Sequence, residues 1–184
     1  FNISNVYPSY WIVFVGITMG AITSNIHDVT EVGFVFFKIG FIAMLITLPL
    51  VIYRYLKEPT VPDGNKPLIC IFTAVISILI VGYLNSAPSI SNEFLLVLYV
   101  IACAFYIFAL AKFIEYRNLN FYPSFAAFSF PFVISALATK GILANLKINS
   151  LSIILKIEMA IAIIIVLYVL IRYLKFLKIV GSRN

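Results

Sequence analysis

Long apolar runs alternate with short polar links along the whole chain. Six runs are long enough to cross about 30 Å of hydrocarbon at a helical rise of about 1.5 Å per residue. They predict membrane spans near residues 8–24, 32–54, 67–84, 93–115, 123–141 and 150–174. The links between them, such as "SNIHDVTE", "KEPTVPDGNK" and "NSAPSISNE", carry the Asn, Asp, Pro and Gly of turns. None is long enough to hold a soluble domain, so residues 1–184 read as a single transmembrane domain. Runs this long and continuous do not suit barrel strands, and a chain in lipid must satisfy its own backbone. The expected fold is all-α: a polytopic membrane helical bundle of six transmembrane helices in three tandem hairpins.

Composition agrees and narrows the function. Of 184 residues, 63% are hydrophobic and 11% charged, where a soluble domain carries roughly a quarter charged residues. The net charge of +6 sits at the ends of apolar runs and not on one soluble face, which argues against nucleic acid as a partner. Arg54, Lys57, Lys66, Lys112, Arg117, Arg172, Lys175, Lys178 and Arg183 fall after the second and fourth runs and in the tail. The opposite links hold only Lys140 and Lys147. Basic residues favour the cytoplasmic side, so both termini are expected there, in the plasma (inner) membrane. Tyr7, Tyr10, Trp11, Tyr53, Tyr55, Tyr116, Tyr122 and Tyr173 fall on the same predicted interface, where amphipathic rings concentrate. The cysteines, Cys70 and Cys103, lie within apolar runs and read as core residues; with His27 as the one histidine, no metal-ligand spacing exists. No nucleophile–base pair, phosphate loop or haem-ligand pair appears, so neither an enzyme nor a cofactor is expected.

The spans repeat. Pro8, Pro67 and Pro123 open the odd spans in "YPSYWIVFVG", "KPLICIFTAV" and "YPSFAAFSFP". Proline at a first helical turn loses no intrahelical bond. The even spans close on basic ends: "YRYLK" (53–57), "AKFIEYR" (111–117) and "IRYLKFLK" (171–178). Three hairpins with the same opening and closing chemistry point to a tandem repeat with the odd helices in equivalent places. The odd spans also carry small and hydroxyl residues, among them Gly16, Thr18, Thr73, Ser77, Ser124, Ser135 and Thr139; the even spans are bulky and aliphatic. Small residues allow close helix approach, and hydroxyls can bond across helices or touch a permeant species. Both uses remain open. The simplest arrangement is an inner ring of odd helices around a path, with an outer ring of even ones.

Charge within the spans is scarce. Lys38, Lys156 and Glu158 lie on even spans toward the predicted outer face and read as structural, since lysines there can snorkel. The stretch "FYPSFAAFSFPF" (121–132) places Pro131 about 12 Å into the fifth span at helical rise, where it is expected to bend the helix and free the Ala127 carbonyl. On a straight helix Ser124, Phe128, Pro131, Ser135 and Thr139 share one face. That face suits a narrow conduit closed by an aromatic ring, and it suits a kinked, Phe-rich core helix as well.

"YPSFAAFSFPFVISALAT" resembles the ninth-helix signature of the tellurite-resistance/dicarboxylate transporter family, which includes the slow anion channels of plant guard cells (the voltage-dependent anion channels). "YPSYWIVFVG" and "KPLICIFTAVISILIVGYLNS" are similar to that family's fifth and seventh helices. The resemblance implies ten helices in five hairpins with odd helices lining a pore, of which this chain would be the C-terminal three hairpins. It implies a homo-oligomer, a trimer, that passes small inorganic or organic anions across a lipid bilayer. It also implies a gating phenylalanine at Phe130, whereas the straight-helix wheel favours Phe128. Pore-lining positions are expected at Ser124, Pro131, Ser135, Thr139, Thr18, Thr73 and Ser77. Two other readings stay open: a coupled secondary transporter or exporter of dicarboxylates or tellurite-type oxyanions, and a noncatalytic membrane subunit. A coupled carrier would need a buried acidic or cation site on a pore helix, and the sequence displays none.

Overall fold

In the computed structural model, residues 2–181 are described; Arg183, one of the residues used for orientation, lies outside them. The helices are α1 (Tyr10–Phe14), α2 (Thr18–Ser24), α3 (Thr30–Lys57), α4 (Ile71–Ser86), α5 (Asn92–Tyr116), α6 (Phe130–Leu146) and α7 (Leu151–Gly181). No strand occurs among the described residues. With its N-terminal extension from Asp63, α4 is long and apolar enough to cross a membrane, as are α3, α5, α7 and the segment Pro123–Leu146. The protein is a helical membrane bundle.

Local chemistry sets the helix ends. The Ser91 hydroxyl accepts from the Phe94 N–H at the start of α5, and Glu93 adds negative charge to that first turn, where the helix dipole favours it. Asp28 and Lys147 take left-handed conformations at the tips of the first and third hairpins.

Three hairpins pack side by side: α2 on α3, α4 on α5, and α6 on α7. The odd members adjoin one another, with α4 between α2 and α6. As a result every residue of α4 from Ile71 to Tyr83 is buried, whereas α3, α5 and α7 each bury one face and expose the other. Close approach rests on small residues, as it must where lipid is as apolar as the helices themselves. Thr18 of α2 sits between Gly40 of α3 and Gly82 of α4: a Cβ on Gly40 would lie 2.0 Å from its Oγ1, and one on Gly82 2.5 Å from its Cγ2. Toward the start of α4 the aromatic rings interlock edge to face, with Phe72 meeting Trp11 at 4.8 Å and Phe105 at 5.5 Å.

The odd spans are not the straight helices that their length suggests. The first divides into α1 and α2, joined by successive i→i−3 bonds from Thr18, Met19 and Gly20 to Val15, Gly16 and Ile17. A Cβ at Gly16 would stand 2.2 Å from the Ile12 carbonyl oxygen, so only glycine fits this bend. The second and third odd spans open with 3₁₀ turns at Asp63–Cys70 and Pro123–Phe128. Pro131 therefore does not bend a continuous α-helix at mid-span. It stands in the first turn of α6, where its missing N–H has no partner to lose.

Candidate functional site

The 3₁₀ lead-ins of the second and third odd spans pack on each other, and a cavity of about 620 Å³ lies among the three odd spans. Trp11, Ile12, Val15, Gly16 and Met19 line it from the first odd span, and Leu68, Ile71, Ala74, Val75 and Ile78 from the second. Ser124, Ala126, Ala127, Phe130 and Pro131 complete the wall from the third. All three hairpins contribute, each through its odd member.

The wall is almost wholly apolar; the Ser124 hydroxyl and the Trp11 N–H of its lining residues are buried without a protein partner. No charged side chain lines it. Such a space has little hold on a permeant ion and resists wetting when a ring narrows it. Phe130, the first residue of α6, is half exposed and lies on the cavity.

Phe128 has a different place. It is fully buried, packed edge to face against Phe113 at 5.2 Å and Phe125 at 5.2 Å. The two candidate rings are thus separated by the break at Ser129. Among the other sequence-predicted residues, Ser124 and Pro131 stand on the cavity wall beside Phe130. Thr18, Thr73, Ser77, Ser135 and Thr139 are buried and are not among the residues lining the cavity. The Ser77 hydroxyl donates to the Thr73 carbonyl at 2.7 Å, one turn back on its own helix. Thr139 Oγ1 meets the Tyr99 hydroxyl of α5 at 3.3 Å.

Two ionic residues that the sequence pattern does not mark as buried are buried. Arg54, placed with the basic rim, is 1% exposed; its guanidinium lies between the Tyr7 and Tyr55 rings, 4.8 Å from each. Glu158 of α7 is 4% exposed, while Lys38 and Lys156 are exposed, Lys38 resting on the Phe34 ring. The lone signal for Glu158 is an acidic residue in the middle of an apolar run. Cys70 is buried with its thiol toward the Ala109 carbonyl, and Cys103 is half-buried.

A bundle of membrane helices whose inner members line an open cavity has the build of an integral membrane protein for transport. The sequence profile of the voltage-dependent anion channels (SLAC1) matches residues 1–174, and the chain belongs to that family. At the level of the family, its function is the passage of anions across a membrane, and its members are channels and transporters rather than enzymes. No curated protein and no solved structure matches the chain.

Proposed function

We propose that this chain forms part of a pore for small anions, lined by its odd helices and closed by the Phe130 ring. The observation that carries this reading is the cavity itself: three sequence-equivalent helices wall it, and Phe130 stands on it beside Pro131. The absence of charge on the wall suits passage without tight binding. The basic residues at the proline-led ends raise the local anion concentration before entry.

The same reading takes the proline-led ends and both termini as cytoplasmic, in the plasma (inner) membrane, from the distribution of basic residues. It takes the assembly as a homo-oligomer, a trimer, embedded in lipid, with small inorganic or organic anions as cargo.

The test is anion flux through the whole protein in liposomes. Phe130→Ala raises flux several-fold, and Phe128→Ala does not, because its ring lies in the core. Flux unchanged by Phe130→Ala overturns the gate. A coupled carrier is the second reading, and one observation favours it: the buried carboxyl of Glu158, which lies on the outer helix α7 and faces α6 and not the cavity.

A further inference from the structure

We propose that Glu158 is a reversible proton-binding site whose occupancy sets how α6, the helix that begins with Phe130, seats between α5 and α7. Glu158 lies on the inward face of α7 with Ala162, Ile165 and Val169, all buried. Thr139 of α6 faces its carboxyl, and Tyr99, Cys103 and Tyr106 of α5 are titratable groups that feel its charge. Lys156 of α7, two residues away, and Lys140 of α6 are both exposed, and Lys140 lines the outer groove between those two helices. No salt bridge reaches Glu158 among the described residues.

Glu158 Oε2 and the Tyr106 hydroxyl both lack a hydrogen-bond partner, while Thr139 is already engaged with Tyr99. Each of these oxygens lacks a partner that a proton or a water would supply, since buried polar groups are costly when unpaired. As the neutral acid, Glu158 donates one hydrogen bond and accepts another within this hydroxyl set. As the carboxylate, it places an uncompensated charge where three apolar helices meet, and the helices must part to admit water. Thr139 of α6 faces the carboxyl, so a change in its charge is felt by the helix whose first turn lines the cavity.

The effect on flux rests on the proposed anion path; the proton site itself does not. Infrared difference spectra of the whole protein in lipid, between acid and alkaline pH, test the site directly. A protonated-carboxyl band present in the native protein and missing in Glu158→Gln is expected, and flux through Glu158→Gln loses the pH dependence of the native protein. Thr139→Val keeps the carboxyl and shifts the midpoint of the band, which decides the matter if Glu158→Gln does not fold. Spectra of native protein and Glu158→Gln that match at every pH overturn the site, as does a band that follows sodium concentration and not pH. If neither protein passes anions, the path fails and the spectra still decide the proton site.

Discussion

Arg54 and Arg172 hold equivalent chain segments in two different hairpins. Arg54 Nη2 donates to the Ser4 carbonyl at 3.3 Å, and Arg172 Nη2 donates to the Leu119 carbonyl at 2.6 Å. Ser4 stands four residues before Pro8, and Leu119 four residues before Pro123. In each case the arginine of an RYLK sequence at the end of the outer helix ties down the lead-in to its own inner helix. Arg54 adds a bond to the Glu58 carbonyl at 3.0 Å, and Arg172 adds one to the Tyr168 hydroxyl at 3.2 Å while lying over the Phe125 ring. The Tyr173 hydroxyl reinforces the third hairpin by donating to the Pro123 carbonyl. The middle hairpin lacks this clamp and uses Lys66 with Asp63 at 2.6 Å, beside the Tyr116 ring.

Hydrogen bonds from a charged donor contribute about 1.5–3 kcal/mol each, and lysine cannot reproduce the planar fork of arginine. Arg54→Ala is therefore expected to destabilise the bundle by about 3 kcal/mol, and Arg54→Lys to recover only part of that. Lys57→Ala, at an exposed site, changes stability by less than about 0.5 kcal/mol. Thermal unfolding in detergent measures all three.

The Thr18 seam makes a sharper prediction. Gly82→Ala drives a methyl into Thr18 Cγ2, and Gly40→Ala drives one into Thr18 Oγ1. Overpacking of this kind costs about 1–3 kcal/mol. Thr18→Ser removes only Cγ2, so it rescues Gly82→Ala and not Gly40→Ala; Thr18→Ala rescues both. Double-mutant cycles on the unfolding temperature check the pairing.

Phe128 and Phe130 are expected to separate stability from passage. Phe128→Ala empties a fully buried aromatic site, which costs about 3–5 kcal/mol. Phe130→Ala removes a half-exposed ring and leaves the unfolding midpoint within a few degrees of the native value. Unfolding curves collected beside the flux measurements distinguish them.

Much of the architecture could be read from residue order alone. Long apolar runs fixed where helices lie, and the recurrence of Pro8, Pro67 and Pro123 identified the inner helices before any coordinates did. The course within those helices was less visible. Gly16 marks the bend in the first odd span, but a lone glycine in an apolar run also serves ordinary close packing. The phase of the third departs from a straight wheel for a physical reason: a 3₁₀ turn advances about 120° per residue against about 100° in an α-helix. Over Pro123–Phe128 the difference accumulates to on the order of 100°. This swings Phe128 into the core and leaves Phe130 on the cavity, although a straight wheel favours Phe128. Hydroxyl residues gave no hint of which would face a neighbour and which the cavity, because both environments accept them. Arg54 and Glu158 look like rim and snorkelling residues until the partner segments are in place.

The central claim is that anions pass between the odd helices, and cysteine accessibility tests it most directly. Ile12→Cys and Ala126→Cys place thiols on the cavity wall from two different hairpins, and Ile107→Cys places one on the outward face of α5, where Ile107 is 69% exposed. Each is introduced with Phe130→Ala into the whole protein, with Cys70 and Cys103 replaced by alanine, and treated with a charged thiol reagent. Anion flux that falls sharply after modification at 12 and 126 but holds at 107 is the predicted result. Flux indifferent to modification at 12 and 126 would contradict the account.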